Sequence, residues 1–291
     1  MARIAIVGVG AIGGALAGLL HSAEQHEITL CTRRPIDTLT VHTPEGDIAV
    51  KALNATSPAD VQAVDWVIVA TKAYDAAGAA AWFPALCANG ANVAIVQNGV
   101  EHRERFQPYL SGERLLPVVI DCPTERQPDG SVNVRGDTLM KVESSPMARE
   151  FADLFSGTMA ITMLVDDFNS AAWWKLCINS VGALNGLTLK PVSVLWGEAM
   201  SRVALEMVAE CVAVGRAEGA HLDDTMPEQV MAMYRAQPAD SVNSLLADRL
   251  AGRQTEADAR NGAIVRKGEK HGIATPMNRM ALALLQAVEE A

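Results

Sequence analysis

The chain has 291 residues, with 24 Lys and Arg against 34 Asp and Glu, so its formal net charge is −10. Hydrophobic residues make up 49% and charged residues 20%, enough apolar side chain for a sizeable core, which excludes wholesale disorder. The acidic balance disfavours nucleic acid and anionic membranes as partners, because both are polyanions; small anions would need locally gathered cations.

Residues 3–7 form a short, continuously apolar run, as expected of a strand buried on both faces. Residues 11–21 read as a helix with small residues toward its start, and residues 27–31 as the second strand. Residues 42–52 enclose Pro44-Glu45-Gly46-Asp47, the turn of a hairpin or an irregular crossover. A strand over 65–70 and an alanine-rich helix over 75–86 follow. Strands over 91–96 and 115–121 come next, then 130–134 as part of an antiparallel pair. Strands alternating with helices define an α/β class with a doubly wound sheet.

The pattern changes near Val165-Asp166-Asp167. From Ser170 it is helical almost to the end, over 171–185, 197–218, 227–236, 244–251, 256–271 and 277–290, with Gly, Pro or Asp between the stretches. The expected domains are therefore 1–166 and an all-helical 167–291.

No secretory signal is expected, because Met1-Ala2-Arg3 leads into only four apolar residues before the glycines begin. No apolar run approaches the ~20 residues that span a bilayer. The five cysteines are scattered without a CxxC pair, and the six histidines lack metal-ligand spacing. This pattern fits a cytoplasmic protein without a metal or a disulfide framework.

Gly8-Val9-Gly10-Ala11-Ile12-Gly13 follows the first strand and opens the first helix. Gly8 permits the tight turn, Gly10 lets the backbone approach a pyrophosphate, and Gly13 lets the helix pack on the strand. The helix N-terminus then offers its N–H groups to the phosphates. In this context the loop predicts a dinucleotide-binding Rossmann domain. An NAD protein usually has Asp or Glu about 20 residues further on, but this chain reads Cys31-Thr32-Arg33-Arg34. Arg33 suits the 2′-phosphate of NADP through bidentate, charge-assisted bonds.

Three later segments carry more information. Ala70-Thr71-Lys72-Ala73 and Val96-Gln97-Asn98-Gly99-Val100 each close a strand at the sheet edge where ligands bind. Trp174-Lys175-Leu176-Cys177-Ile178-Asn179 opens the helical half, with Lys175 and Asn179 one turn apart on one helix face. Ser244-Leu245-Leu246-Ala247-Asp248, Thr255-Glu256-Ala257-Asp258, Asn261-Gly262 and the run from His271 to Pro276 follow in order.

Together these motifs resemble the ketopantoate reductase family (2-dehydropantoate 2-reductases) from residue 2 to about residue 280. The resemblance implies NADPH-dependent reduction of the 2-keto group of ketopantoate, a step toward pantothenate and coenzyme A. It implies Lys175 as the catalytic lysine and Asn98 as the asparagine near nicotinamide and substrate. Lys72 is implied in cofactor and substrate binding, and Asn179, Ser244 and Glu256 in substrate contact, with Glu256 beside Lys175 in the catalytic set. An ammonium aimed at the ketone oxygen stabilises the charge left by the arriving hydride and can deliver the proton. Glu256 could accept a hydrogen bond from a substrate hydroxyl or hold Lys175. Taken singly, Lys175 and Glu256 would read as solvated helix residues; the joint pattern decides.

Two positions depart from the family pattern. Ala183 stands where a second asparagine, eight residues after the lysine, is usual. Asn185 lies about 200° further around the helix. It can serve only if the helix bulges or breaks, for which Gly182 and Gly186 give scope. Ser241 replaces another asparagine, and Asn243 is the candidate substitute. A related reductase of another branched 2-oxo acid, and a non-catalytic NADP-binding protein, therefore stand as alternatives. Both a monomer and a homodimer through the helical half are compatible with the pattern.

Overall fold

The computed structural model describes residues 1–290. Backbone proximity divides the chain into two compact units, Met1–Gln97 with His102–Phe168, and Asn98–Glu101 with Asn169–Ala291.

The first unit contains β1 (Ala2–Val7), α1 (Ala11–Ser22), β2 (His26–Cys31), β3 (Leu39–Thr43), β4 (Gly46–Val50) and β5 (Leu53–Ala55). It continues with β6 (Trp66–Val69), α2 (Ala76–Ala80), α3 (Phe83–Leu86), β7 (Asn92–Ile95), α4 (His102–Phe106), β8 (Leu115–Pro117) and β9 (Val119–Asp121). Then come β10 (Thr124–Arg126), β11 (Val132–Val134), β12 (Thr138–Glu143), α5 (Pro146–Asp153) and β13 (Ala160–Val165). Six strands form one parallel sheet in the order β5-β2-β1-β6-β7-β8. This is the doubly wound order of dinucleotide-binding folds. The register pairs Val7 with Cys31 and Val69, and Val69 with Ile95, so four strands end level. Gly8, Thr32, Ala70 and Val96 therefore leave the sheet along one edge. The strands are apolar on both sides because both faces are covered; all four residues of β6 are buried.

Three sequence expectations need refinement. The hairpin forms around a glycine turn, with Gly46 at φ 132°, but it belongs to a separate four-stranded sheet with β10 and β11. The single helix over 75–86 is two short ones, because Pro84 lacks the N–H that would continue α2 and instead starts α3. The strand over 115–121 divides at Val118: β8 finishes the parallel sheet, while β9 pairs with β12.

The second unit contains α6 (Phe168–Thr188, whose first residue belongs to the other unit), α7 (Glu198–Ala217), α8 (Met226–Ala236), α9 (Ser244–Leu250), α10 (Ala263–His271) and α11 (Pro276–Glu289). A π-helical turn over Asp258–Gly262 leads into α10. The core joins Trp173, Leu176, Cys177 and Val181 of α6 to Met207, Val208, Cys211 and Val214 of α7. Asn261 is fully buried and ties Ser180 O to Asn278 Oδ1, which makes it a core tie between α6 and α11. Gly272 closes α10 in the left-handed region at φ 67°, with Ile273 N donating to Gly268 O at 2.8 Å. Among the described residues no helix is long and apolar enough to cross a membrane, and no cluster of His, Cys, Asp or Glu is placed to hold a metal.

Glu218, just after α7, clips α10 to it. Its carboxylate takes Lys267 Nζ at 2.9 Å, Lys270 Nζ at 2.8 Å and His271 Nε2 at 2.5 Å. Desolvation raises its pKa, but hydrogen bonds from Lys270, His271 and Lys267 outweigh this and bring it from 4.5 down to about 2. A folded-state pKa below the unfolded value gives stability that is present above the unfolded pKa and is lost as pH falls through the folded one. Glu218→Gln should therefore flatten the acid limb of a Tm-against-pH curve between about pH 5 and 2. An unchanged limb would show that the clip contributes nothing.

Candidate active site

The glycine loop begins where β1 ends. Gly8 has φ 93°, a conformation that side chains disfavour, and its N–H donates to Cys31 O at 3.1 Å. A Cβ at Gly13 would lie 2.0 Å from Gly8 O, so only glycine lets α1 sit this close to the strand end. A Cβ at Gly10 would meet nothing within 4 Å, so the space over it is open to a ligand. Gly10 caps α1 without any side-chain hydrogen bond, and no acidic residue lies in the first turn. The N-terminal amides and the positive end of the dipole thus face no competing anion from the first turn, and the loop Gly8–Val9–Gly10–Ala11–Ile12–Gly13 fits a pyrophosphate. Arg126 of β10 adds a guanidinium that donates to Val9 O, a neighbour that sequence distance concealed.

Arg33 leaves the sheet edge just after β2. Its Nη2 donates to Asp75 Oδ2 at 2.6 Å, with the arginine side chain 82% exposed. So exposed a pair is weak, and a phosphate could compete for the guanidinium. Lys72 follows β6, where its carbonyl accepts from Gln97 Nε2 at 3.3 Å. Gln97 is buried and also donates to Thr71 Oγ1 at 3.0 Å. The Gln97 carbonyl lies 2.8 Å from Nε2 of buried His102, which fixes the strand end just before Asn98. Burial, then the nearby Arg105 charge, holds His102 at a pKa of about 4, so the ring is neutral near pH 7.

Within the helical unit, four of the expected residues join one network. Asn98 Nδ2 donates to Glu256 Oε2 at 2.9 Å, and Asn98 Oδ1 accepts from Asn179 Nδ2 at 3.3 Å. Arg260 Nη2 lies 3.7 Å from Glu256 Oε2 and donates to Ser244 Oγ at 2.8 Å. Glu256 and Arg260 are 4% and 3% exposed, while Ser244 is exposed. Lys175 is half-buried on α6, one turn before Asn179. Gly8–Gly13, Arg33 and Lys72 belong to the other unit.

Sequence reading missed Arg260. Its spacing of four from Glu256 was the available signal, but on a polar stretch that spacing usually marks a solvated pair. The two substitutes considered for the missing asparagines fail. Helix α6 runs unbroken past Asn185, which is fully buried and accepts from Asn243 Nδ2 at 2.9 Å while donating to Lys190 O at 3.0 Å. Asn243 also caps α9 by accepting from Leu245 N and Leu246 N. Both amides are thus occupied within the protein, and Ala183 is a fully buried core residue.

A parallel sheet in this order, with a glycine loop where β1 ends, defines the class of dinucleotide-binding folds, here accompanied by a separate helical unit. The chain belongs to the ketopantoate reductase PanE/ApbA family. The family's main model matches residues 4–146, and its C-terminal model matches residues 167–289. The chain is 48% identical to a 2-dehydropantoate 2-reductase of Caulobacter vibrioides over 99% of both chains. It is similar to the crystal structure of a PanE/ApbA family ketopantoate reductase from Ralstonia eutropha, with TM-score 0.89 and 33% identity over 99% of this chain and 98% of that one. A D-mandelate dehydrogenase with NADH and anilino(oxo)acetate shares the fold, with TM-score 0.88 and 22% identity over 99% of this chain and 98% of that one.

Proposed function

We propose that the chain reduces the 2-keto group of 2-dehydropantoate to pantoate with NADPH, in the cytoplasm, on the route to pantothenate and coenzyme A. The observation that carries this reading is the network Asn98–Glu256–Arg260–Ser244, to which Asn179 is joined, with Lys175 on the same helix. The reductase class follows from family membership and from the 2-dehydropantoate 2-reductase relative.

When bound, the nicotinamide supplies the hydride. The protein's part is to bind, orient and protonate. Lys175 serves as the general acid, its ammonium meeting the charge that develops on the ketone oxygen. Asn179 and Ser244 can donate to carbonyl or carboxylate, and Glu256 can accept from a substrate hydroxyl. Asn98, held by Glu256 and Asn179, stands between substrate and nicotinamide in this reading. Gly8, Val9, Gly10, Ala11, Ile12 and Gly13 hold the pyrophosphate, Lys72 adds positive charge, and Arg33 takes the 2′-phosphate.

The NADP preference has its own measurement. Arg33→Ala should weaken NADPH binding about tenfold or more and NADH binding less than about twofold, since only NADPH loses a charge-assisted phosphate bond. Equal losses in fluorescence titrations would remove Arg33 from cofactor choice.

A second reading, reduction of a related branched 2-oxo acid, is favoured by one observation: Asn185 and Asn243 bind each other, so neither replaces the missing asparagines. Comparing kcat/KM across a panel of 2-oxo acids decides between them. The first reading expects ketopantoate to be preferred over pyruvate-like acids by well over tenfold. A flat profile would sink it. The reading includes a homodimer through the helical unit, because α11 exposes an apolar stripe of Met280, Leu284 and Val288 at successive turns. Sedimentation at micromolar concentration tests it, and a monomer there would exclude it.

A further inference from the structure

Arg260 is the least expected residue of the network. An arginine only 3% exposed is costly unless its charge is paired and its donors are filled. Here the pairing is incomplete. Glu256 Oε2 is 3.7 Å from Nη2, longer than a hydrogen bond, and the buried Nε has no partner. The short bond goes to an exposed hydroxyl, with Nη2 donating to Ser244 Oγ at 2.8 Å. A guanidinium serving packing alone would have its donors filled from inside the protein. This one directs a charge-assisted donor toward a group at the surface of the unit.

The bond has a chemical consequence. A serine hydroxyl has one proton and two lone pairs. With Arg260 donating into one lone pair, Ser244 keeps its own proton for another acceptor, and the cation behind it makes the O–H a stronger donor. Asn243 is bound to the first amides of α9 and to Asn185, so it holds the start of α9, where Ser244 is the first residue.

We propose that Arg260 is a specificity-determining positioning residue, which orients and polarises Ser244 to bind the carboxylate of the 2-keto acid. The role rests on the reductase reading given above. Through Ser244, Arg260 makes the enzyme prefer a 2-keto carboxylate over the corresponding neutral 2-keto amide. Arg260 does not touch the reacting carbonyl, so its effect falls on KM more than on kcat.

The experiment measures kcat and KM with NADPH for ketopantoate and its 2-keto amide in the wild type, Arg260→Met, Arg260→Lys and Ser244→Ala. The wild type prefers the acid. Arg260→Met lowers kcat/KM for the acid between about 10- and 100-fold, mostly through KM, and changes that for the amide less than about threefold. Arg260→Lys, which restores the charge without the fork, recovers part of the preference. Ser244→Ala loses the same preference. Because Ser244 is exposed, that variant folds and tests the relay even where Arg260→Met does not. Equal losses for acid and amide in Arg260→Met, or full acid preference retained in Ser244→Ala, overturn the proposal and leave the reductase reading standing. A wild type that turns over neither compound overturns the ketopantoate reading and this inference with it.

Discussion

Lys175→Ala should lower kcat for ketopantoate between about 10²- and 10⁴-fold, the range associated with a positioned general acid. The ammonium has two tasks in this mechanism. It offsets the negative charge that the hydride leaves on the oxygen, and it supplies the proton that completes the alcohol. Alanine performs neither. In the proposed mechanism Lys175 acts on the substrate oxygen and not on the cofactor, so the NADPH dissociation constant should move less than about twofold. The fold should survive, because Lys175 is half-buried and the core around it is formed by Trp173, Leu176 and Cys177. Single-turnover kinetics at saturating NADPH separate the chemical step from binding. A kcat within about threefold of the wild type would remove Lys175 from the chemistry.

Two of the loop's three glycines, Gly13 and Gly10, should fail in different ways. At Gly13 a Cβ would sit 2.0 Å from Gly8 O and 3.0 Å from Gly8 C, and backbone cannot yield as a flexible side chain can. Gly13→Ala must push α1 away from the end of β1. The expected cost is at the upper end of the roughly 1–3 kcal/mol typical of overpacking, together with loss of cofactor binding. Gly10 has φ −85° and open space around its missing Cβ, so Gly10→Ala should leave Tm almost unchanged. Its methyl would point into the space proposed for the pyrophosphate, weakening NADPH about tenfold or more through lost backbone hydrogen bonds. Thermal melts with and without NADPH distinguish the two. A Gly10→Ala variant that NADPH still stabilises as strongly as the wild type would place the pyrophosphate elsewhere.

Much of this architecture was legible in the chain. The β1–loop–α1 unit was clear because a buried parallel strand and a glycine-rich turn have local signatures. The helices after Ser170 were clear because Gly, Pro and Asp punctuate them. Long-range pairing was not. Residues 115–121 look like one strand, yet β8 and β9 join different sheets, a choice made by partners far away in sequence. Strands β12 and β13 pair in parallel over six residues but went unread, since the exposure of β13 blurs its apolar pattern. At the site, Asn98, Asn179, Ser244 and Glu256 could be named only as a set matching a family pattern. Their linkage through Arg260 was hidden, because burial of an arginine is a tertiary outcome that a helical polar stretch does not announce. The same limit left Asn185 and Asn243 open as substitutes until their mutual hydrogen bond appeared.

The net charge of −10 does not bar the proposed anionic ligands, because locally gathered cations set the field that a small anion meets. Arg126 lies against the glycine loop, Arg33 at the sheet edge and Arg260 within the helical network.

The proposed reaction is hydride transfer from NADPH to the 2-keto carbon of ketopantoate. It is tested most directly with NADPH carrying deuterium at the transferable position of the nicotinamide. The expected result is pantoate with one deuterium at carbon 2 for each NADPH oxidised, seen by mass spectrometry and NMR. NADPH consumed without deuterium in pantoate, or no consumption with ketopantoate present, would contradict the account.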